Sequence, residues 1–295
     1  MSYDAILIVG HGSRDAAGAA EIAAIAPMVR ALVGPNIAVE VGFLELSDPP
    51  AIEVLHTMAR NGARHVVIVP FMLSSAGHAR SDVPAVVITG RSVYPDITFT
   101  YTEPLGDDFV LLSLARAALE SAGGAGKPLA VFFRGASEPW ANAEAYKITR
   151  ILAELNNSPS CYVGFSGITW PSIKGALDQV AAAHVTEVAT FSWFIAPGVL
   201  IDRIDGAIDS FALETSITIH HAGYFGIGPQ IAELVIDRVE SAITGGVRTP
   251  CDLCSYRRPF PGLEGRVGAP RGVGHSHLAS EHLAVHDHQH HRHDS

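Results

Sequence analysis

The sequence predicts an α/β protein: two similar Rossmann-like halves with parallel sheets, facing each other across a cleft. Three observations predict it. Short runs rich in Val, Ile and Phe alternate with alanine- and leucine-rich stretches of helical period. That alternation runs through the chain twice, and the landmarks of the second pass follow in the order of the first.

The first strand is "DAILIV" (4–9), followed at once by the glycine turn "GHGS". The stretch "AAGAAEIAAIAPMVRALVG" (16–34) then has the period of a helix. "IAVEVGF" (37–43), "HVVIVPF" (65–71) and "ITFTY" (97–101) supply three more strands, and "DDFVLLSLARAALESA" (107–122) a closing helix. The glycines and proline of "SAGGAGKP" (121–128) punctuate two regular patterns and mark a linker. The second pass places strands at 129–133, 161–165, 186–192 and 216–220. Strands that alternate with helices form parallel sheets covered on both faces, and their ligands meet the carboxyl ends of the strands. The chain therefore divides into 1–122, 128–246 and a remainder, 247–295.

The internal match is anchored by "VGFLELSDPPAIEVL" (41–55) against "VGFSGITWPSIKGAL" (163–177). Around it, "ILIVGHGS" (6–13) faces "AVFFRGAS" (130–137), and "ITFTYTEPLG" (97–106) faces "ITIHHAGYFG" (217–226). In this alignment His11 corresponds to Gly135, Glu45 to Gly167 or its neighbour, and His78 to Val199. The ionisable groups at the strand exits belong to the first half alone. That half is the active one, and the second is its scaffold.

Bulk properties narrow the function. At 295 residues and 48% hydrophobic the chain can bury a large core. Its 30 acidic and 20 basic residues give a formal charge of -10, which disfavours nucleic acid or an anionic membrane as the main partner. The start, "MSYDAILIVGHGS", lacks the basic region of a signal peptide, and no run approaches the roughly 18 consecutive apolar residues of a membrane helix. With three cysteines and no disulfide framework, a cytoplasmic protein is expected.

Two imidazoles and a carboxylate converging on one cleft suit borderline divalent metals, and they also suit proton abstraction near neutral pH. A single histidine at a strand end would more often be a loop residue bonded to backbone; pairing at equivalent exits favours function. Ser13 can cap the helix that follows the first turn, or with that turn bind a carboxylate or phosphate of the substrate at the helix amino terminus. Arg14 and Arg80 are the natural carboxylate clamps, with Ser74, Ser75 and Ser81 beside them as polar contacts for an acidic substrate, or simply as solvated loop residues.

"LIVGHGSRD", "VGFLELSDPPAIEVL" and "VPFMLSSAGHARSDVP", in that order and spacing, resemble the sirohydrochlorin chelatases, class II enzymes that insert cobalt or iron into a tetrapyrrole without ATP. The resemblance runs from residue 4 to about 245 and includes the duplicated form with a degenerate second half. It implies that His11, His78 and Glu45 act at the metal and in proton removal. It also implies sirohydrochlorin and Co²⁺ or Fe²⁺ as substrates, no cofactor needed for catalysis, a monomer or homodimer, and a role in cobalamin or sirohaem synthesis. A carrier that holds metal or tetrapyrrole without turnover is the alternative.

Beyond 246 the composition changes. Cys251 and Cys254 form a CxxC that can hold a labile metal, share an iron–sulfur cluster with a second chain, or stay as two reduced thiols. The end of the chain carries His275, His277, His282, His286, His288, His290, His291 and His293. It lacks the apolar periodicity of a packed segment, so disorder is expected, with loose metal binding and delivery as its function. Removing residues 265–295 is expected to leave metal insertion at saturating metal unchanged and to lower it when metal is scarce. A rate titration against metal concentration measures this, and total loss at saturation contradicts the delivery role.

Overall fold

The computed structural model describes residues 3–74 and 76–245. Ser75 and the whole segment from 246 on, with Cys251, Cys254 and the terminal histidines, lie outside the described residues. The first sheet contains β1 (Ala5–Gly10), β2 (Ala38–Phe43), β3 (His65–Pro70) and β4 (Thr98–Tyr101), in the order β2-β1-β3-β4. The second contains β5 (Leu129–Phe133), β6 (Cys161–Phe165), β7 (Glu187–Ser192) and β8 (Thr218–His221), in the order β6-β5-β7-β8. All pairings are parallel. β1 and β5 are buried along their whole length because helices cover both faces, which is why they read as unbroken apolar runs.

The helices are α1 (Ala16–Ala23), α2 (Ile25–Val33), α3 (Ala51–Arg60), α4 (Val83–Val93), α5 (Phe109–Ser121), α6 (Pro139–Leu155), α7 (Ile173–Ala182), α8 (Val199–Glu214) and α9 (Pro229–Thr244). The single helix expected over 16–34 breaks at Ala24. Pro27 has no N–H for the carbonyl of Ala23, and its ring crowds that carbonyl, so α1 ends there. Ala16–Val33 also reaches the length and mean hydropathy, 1.5, of a membrane crossing, which a count of consecutive apolar residues overlooks. In the fold α2 buries Ile25, Ala26 and Val29 and packs against β2 and α9.

The repeat is visible atom by atom. Gly10 pairs with Phe43, and the Leu44 N–H donates to the Gly10 carbonyl; Phe133 pairs with Phe165, and the Ser166 N–H donates to the Phe133 carbonyl. Phe133 is thus the counterpart of Gly10. Residue 134 takes the place of His11, and Gly135 the place of Gly12. The sequence match of His11 with Gly135 is one residue out of register, because it was fixed by the shared serines, Ser13 and Ser137, and not by the strand. Both turns need glycine: φ is +96 at Gly12 and +83 at Gly135, and a Cβ would come within 1.7 Å of the Glu45 carbonyl oxygen in one and 2.4 Å of the Gly167 carbonyl oxygen in the other. The match of Glu45 to Gly167 holds, since the Ser47 N–H donates to Glu45 and the Thr169 N–H to Gly167 in the same way.

The two halves are not separate bodies. α5, the last helix of the first half, packs against β7 and α6 of the second; α9, the last helix of the second, packs against α2, β3 and β4 of the first. Each half lends a helix to the other's sheet, and one apolar cluster runs from Ile6 and Val67 through Leu111 and Val131 to Leu234 and Val235. Arg238 on α9 fastens the exchange by donating to the carbonyls of Pro104 and Leu105 and pairing with Asp108 at 3.0 Å. Leu234→Ala is therefore expected to lower stability by about 2–5 kcal/mol in one cooperative transition of both halves. Urea unfolding followed by tryptophan fluorescence and circular dichroism tests this, and two separated transitions contradict the shared core.

Candidate metal centre

The strand order changes direction at β1, so a crevice opens at the carboxyl ends of β1 and β3. His11 follows β1, Glu45 follows β2, and His78 opens the helical segment after β3 as Val199 opens α8 after β7. The loop between Gly10 and Asp15 is drawn tight: the Glu45 N–H donates to the His11 carbonyl, and the Ser47 hydroxyl bonds both the N–H and the carbonyl of Ser13. These bonds bring the second strand's exit against the first.

The three side chains converge. His11 Nε2 lies 3.1 Å from His78 Nε2 and 3.0 Å from Glu45 Oε1, and the candidate ligand atoms all lie within 4.8 Å of one another. Among the described residues this is the one such cluster of His, Cys, Asp and Glu. The partners of the other ring nitrogens fix the tautomers. His11 Nδ1 lies 3.0 Å from the Gly12 carbonyl oxygen, and His78 Nδ1 lies 2.5 Å from Asp82 Oδ2. A carbonyl and a carboxylate only accept, so both Nδ1 atoms carry the proton and donate. In the neutral rings both Nε2 atoms then present lone pairs toward each other and toward a carboxylate oxygen. In the absence of a metal a proton on His11 Nε2 can bridge to Glu45 Oε1, and a cation among the three atoms takes that proton's place.

Electrostatics favour the ligand form of His11. Burial, more than any other cause, holds its pKa below the usual histidine value, and the His78 ring and the Arg134 guanidinium push the same way. The Gly12 carbonyl and Glu45 act in the opposite sense without reversing it. A base with a lowered pKa loses its proton at lower pH, so protons compete less with a metal at His11 near neutrality.

His78 stands on a π-helical turn, His78–Asp82, that runs directly into α4. The wide turn brings Asp82, four residues on, beneath the ring. Asp82 is only 6% exposed and also accepts from the Ser81 hydroxyl, whose other bond is to the Gly77 carbonyl. The Tyr101 hydroxyl holds the turn from β4 by donating to the Ala79 carbonyl. A π turn next to a functional side chain is a recurrent arrangement.

The other residues expected at the site fall into three groups. Ser13 and Ser81 are committed to the turns that support the histidines, and Asp15, not Ser13, caps α1 by accepting from the Ala17 N–H. Arg14 is exposed on the first turn, and Ser74 is half-buried at the exit of β3. Arg80 crosses to the other half: its guanidinium lies 5.1 Å from the centre of the Trp140 ring, and one of its terminal nitrogens, Nη1, is buried without a hydrogen-bond partner. Sequence reasoning missed Asp82, although its spacing of four from His78 was there to be read, and Arg134, which the register slip concealed.

The loops at the carboxyl ends of the two sheets meet. A Cβ on Gly18 would come 2.6 Å from the Pro197 carbonyl oxygen, and one on Gly198 3.7 Å from Ser13 Oγ. The same edges leave Leu46, Ile168, Trp170 and Val199 exposed, an apolar contribution from both walls.

Comparison with known proteins shows the family and the fold. The CbiX family profile matches twice, over residues 5–122 and 128–242. A sirohydrochlorin cobaltochelatase of Priestia megaterium is 32% identical over 259 residues, which are 85% of this chain and 84% of that protein. A sirohydrochlorin ferrochelatase of Bacillus subtilis is 24% identical over 80% of this chain and 90% of its own length. Among solved structures, SirB from Bacillus subtilis with Fe³⁺ superposes with a TM-score of 0.73 at 23% identity, covering 82% of this chain and 96% of that one. Its counterpart from subspecies spizizenii, in complex with cobalt, does so with a TM-score of 0.71 at 23% identity, over 83% and 97%.

Asp82→Asn keeps the volume beneath His78 and removes the charge. It is expected to weaken Co²⁺ binding roughly 10- to 100-fold with the helical content unchanged, as measured by equilibrium dialysis and circular dichroism. Undiminished affinity would show that Asp82 does not hold the ring.

Proposed function

The chain belongs to the CbiX family of sirohydrochlorin chelatases, and from that premise we propose that it inserts a divalent metal, cobalt by preference, into sirohydrochlorin without ATP. The observation that carries the reading is the meeting of two imidazole nitrogens and a carboxylate oxygen at one point. Such a set binds Co²⁺ or Fe²⁺ without enclosing it, and it leaves the far side of the ion to an incoming ring.

Insertion exchanges one divalent ion for two pyrrole protons. As bonds from the metal to the ring nitrogens form, those to His11, His78 and Glu45 break, and each freed lone pair becomes a base beside an N–H that must be lost. The donors that present the ion thus take up the protons its entry expels, and Glu45 offsets the positive charge that builds while both are present. Asp82 keeps His78 in the tautomer that both tasks need. The eight carboxylates of sirohydrochlorin require basic anchors on a chain of formal charge -10, and Arg14 and Arg80, with Ser74 near the β3 exit, are assigned that part.

The preference for cobalt follows the stronger likeness, 32% to a cobaltochelatase against 24% to a ferrochelatase. The donor set itself accepts either ion. Purified protein under anaerobic conditions with sirohydrochlorin and excess Co²⁺ or Fe²⁺ is expected to yield many metallated products per chain, faster with Co²⁺. At most one product per chain would make the protein a carrier. His11→Ala and His78→Ala are each expected to slow insertion roughly a hundredfold or more while the far-ultraviolet circular dichroism stays as it was. Full activity in both would remove these residues from the mechanism.

A further inference from the structure

The strand register puts an arginine where the first half has its metal-facing histidine. Arg134 follows β5 as His11 follows β1, each one residue before a glycine of positive φ that packs on the backbone carbonyl of the next strand's exit loop. Two turns of one shape therefore present different chemistry from opposite walls. Imidazole is a metal ligand; guanidinium keeps its proton at any physiological pH and has no lone pair to offer a cation.

Its neighbours sharpen the contrast. Arg134 is exposed; its backbone carbonyl accepts from the Ser166 hydroxyl, but among the described residues no ion pair or hydrogen bond engages its guanidinium. It stands at the carboxyl edge of the second sheet, whose Pro197 and Gly198 loop abuts the first half's Ser13 and Gly18, and its charge acts to lower the pKa of the half-buried His11. A cation unpaired beside a centre built to receive another cation is unfavourable by itself, and an anion that arrives with the reaction removes the conflict. Arg80, by contrast, already lies against Trp140, 5.1 Å from the centre of its ring.

We propose that Arg134 is a substrate-positioning residue: it takes a peripheral carboxylate of the tetrapyrrole from the second half's wall and so turns the ring's nitrogen face toward His11, Glu45 and His78. This rests on the chelatase reading and adds to it that the second half, beyond its scaffolding role, binds substrate. A planar guanidinium suits a carboxylate through two parallel hydrogen bonds, which fix direction as well as distance.

The test compares Arg134→Ala and Arg134→Lys with the unaltered chain in three measurements: sirohydrochlorin binding without metal by fluorescence quenching, Co²⁺ binding without tetrapyrrole by equilibrium dialysis, and insertion kinetics. Arg134→Ala is expected to weaken tetrapyrrole binding and raise KM by about 10- to 100-fold, with a smaller fall in kcat and with Co²⁺ affinity equal or higher. Lysine is expected to restore part of the loss, and the difference between variants should shrink as salt is raised. Tetrapyrrole affinity unchanged in Arg134→Ala overturns the proposal, as does a parallel loss of Co²⁺ affinity, which would mean that the arginine only props the His11 turn. Failure of the unaltered chain to bind or metallate sirohydrochlorin would overturn the chelatase reading itself.

Discussion

The constraint on which the site depends is the enforced meeting of three acceptors. His11 Nε2, His78 Nε2 and Glu45 Oε1 approach to about hydrogen-bond distance, and each can offer a lone pair to a cation. Left to themselves they would separate or capture a proton. They are held by groups that act on the far sides of the rings: the Gly12 carbonyl behind His11, and Asp82 on its π turn behind His78. The backbone adds the Glu45 to His11 hydrogen bond, which ties two loops from neighbouring strands. A site in this condition is more stable with a cation than without one, yet it surrounds the cation on one side only, and that combination lets an ion be both bound and given up.

Duplication supplies the second wall. The two sheets share strand order, the glycine turn and the positive-φ residues Leu46 and Ile168, so the backbone at the second exit could carry the same ligands. It carries Gly167 for Glu45, Val199 for His78 and Arg134 for His11. Retained geometry with replaced chemistry turns a symmetric frame into a directional one: donors on one side, a cation and apolar surface on the other. The exchange of α5 and α9 has a part in this, because each wall is built on a sheet packed by the other half's helix. Motion of one wall against the other would have to disturb the common core.

Much of the fold was legible because fully buried parallel strands leave an unmistakable trace. Each of the eight strands coincides with a β-branched or aromatic run, and the landmarks of the repeat gave their order. The convergence of His11, Glu45 and His78 was legible for a related reason, since a side chain in the loop that leaves such a run lies at a carboxyl edge. What escaped depended on bond patterns that letters do not carry. The break at Ala24 required reading Pro27 against the carbonyl four residues before it. The helix exchange required knowing which sheet α5 and α9 would cover, and both sheets present equally apolar faces.

Arg134 shows the most instructive limit. Similarity aligned "GHGS" with "RGAS" through their last serines, and by that alignment a glycine stood opposite the key histidine. Hydrogen bonds decide otherwise, for strand pairing allows one register when both faces of a sheet are buried. A slip of a single residue was enough to make the second half look chemically blank. The physical register gives it a charge at the one place where charge bears on the centre, and it explains how a half stripped of its ligands can still matter. In the proposed reaction, a pair of walls that divide their labour, one taking the ion and the other the anionic edge of the ring, orients a flat substrate better than two walls that both compete for the ion.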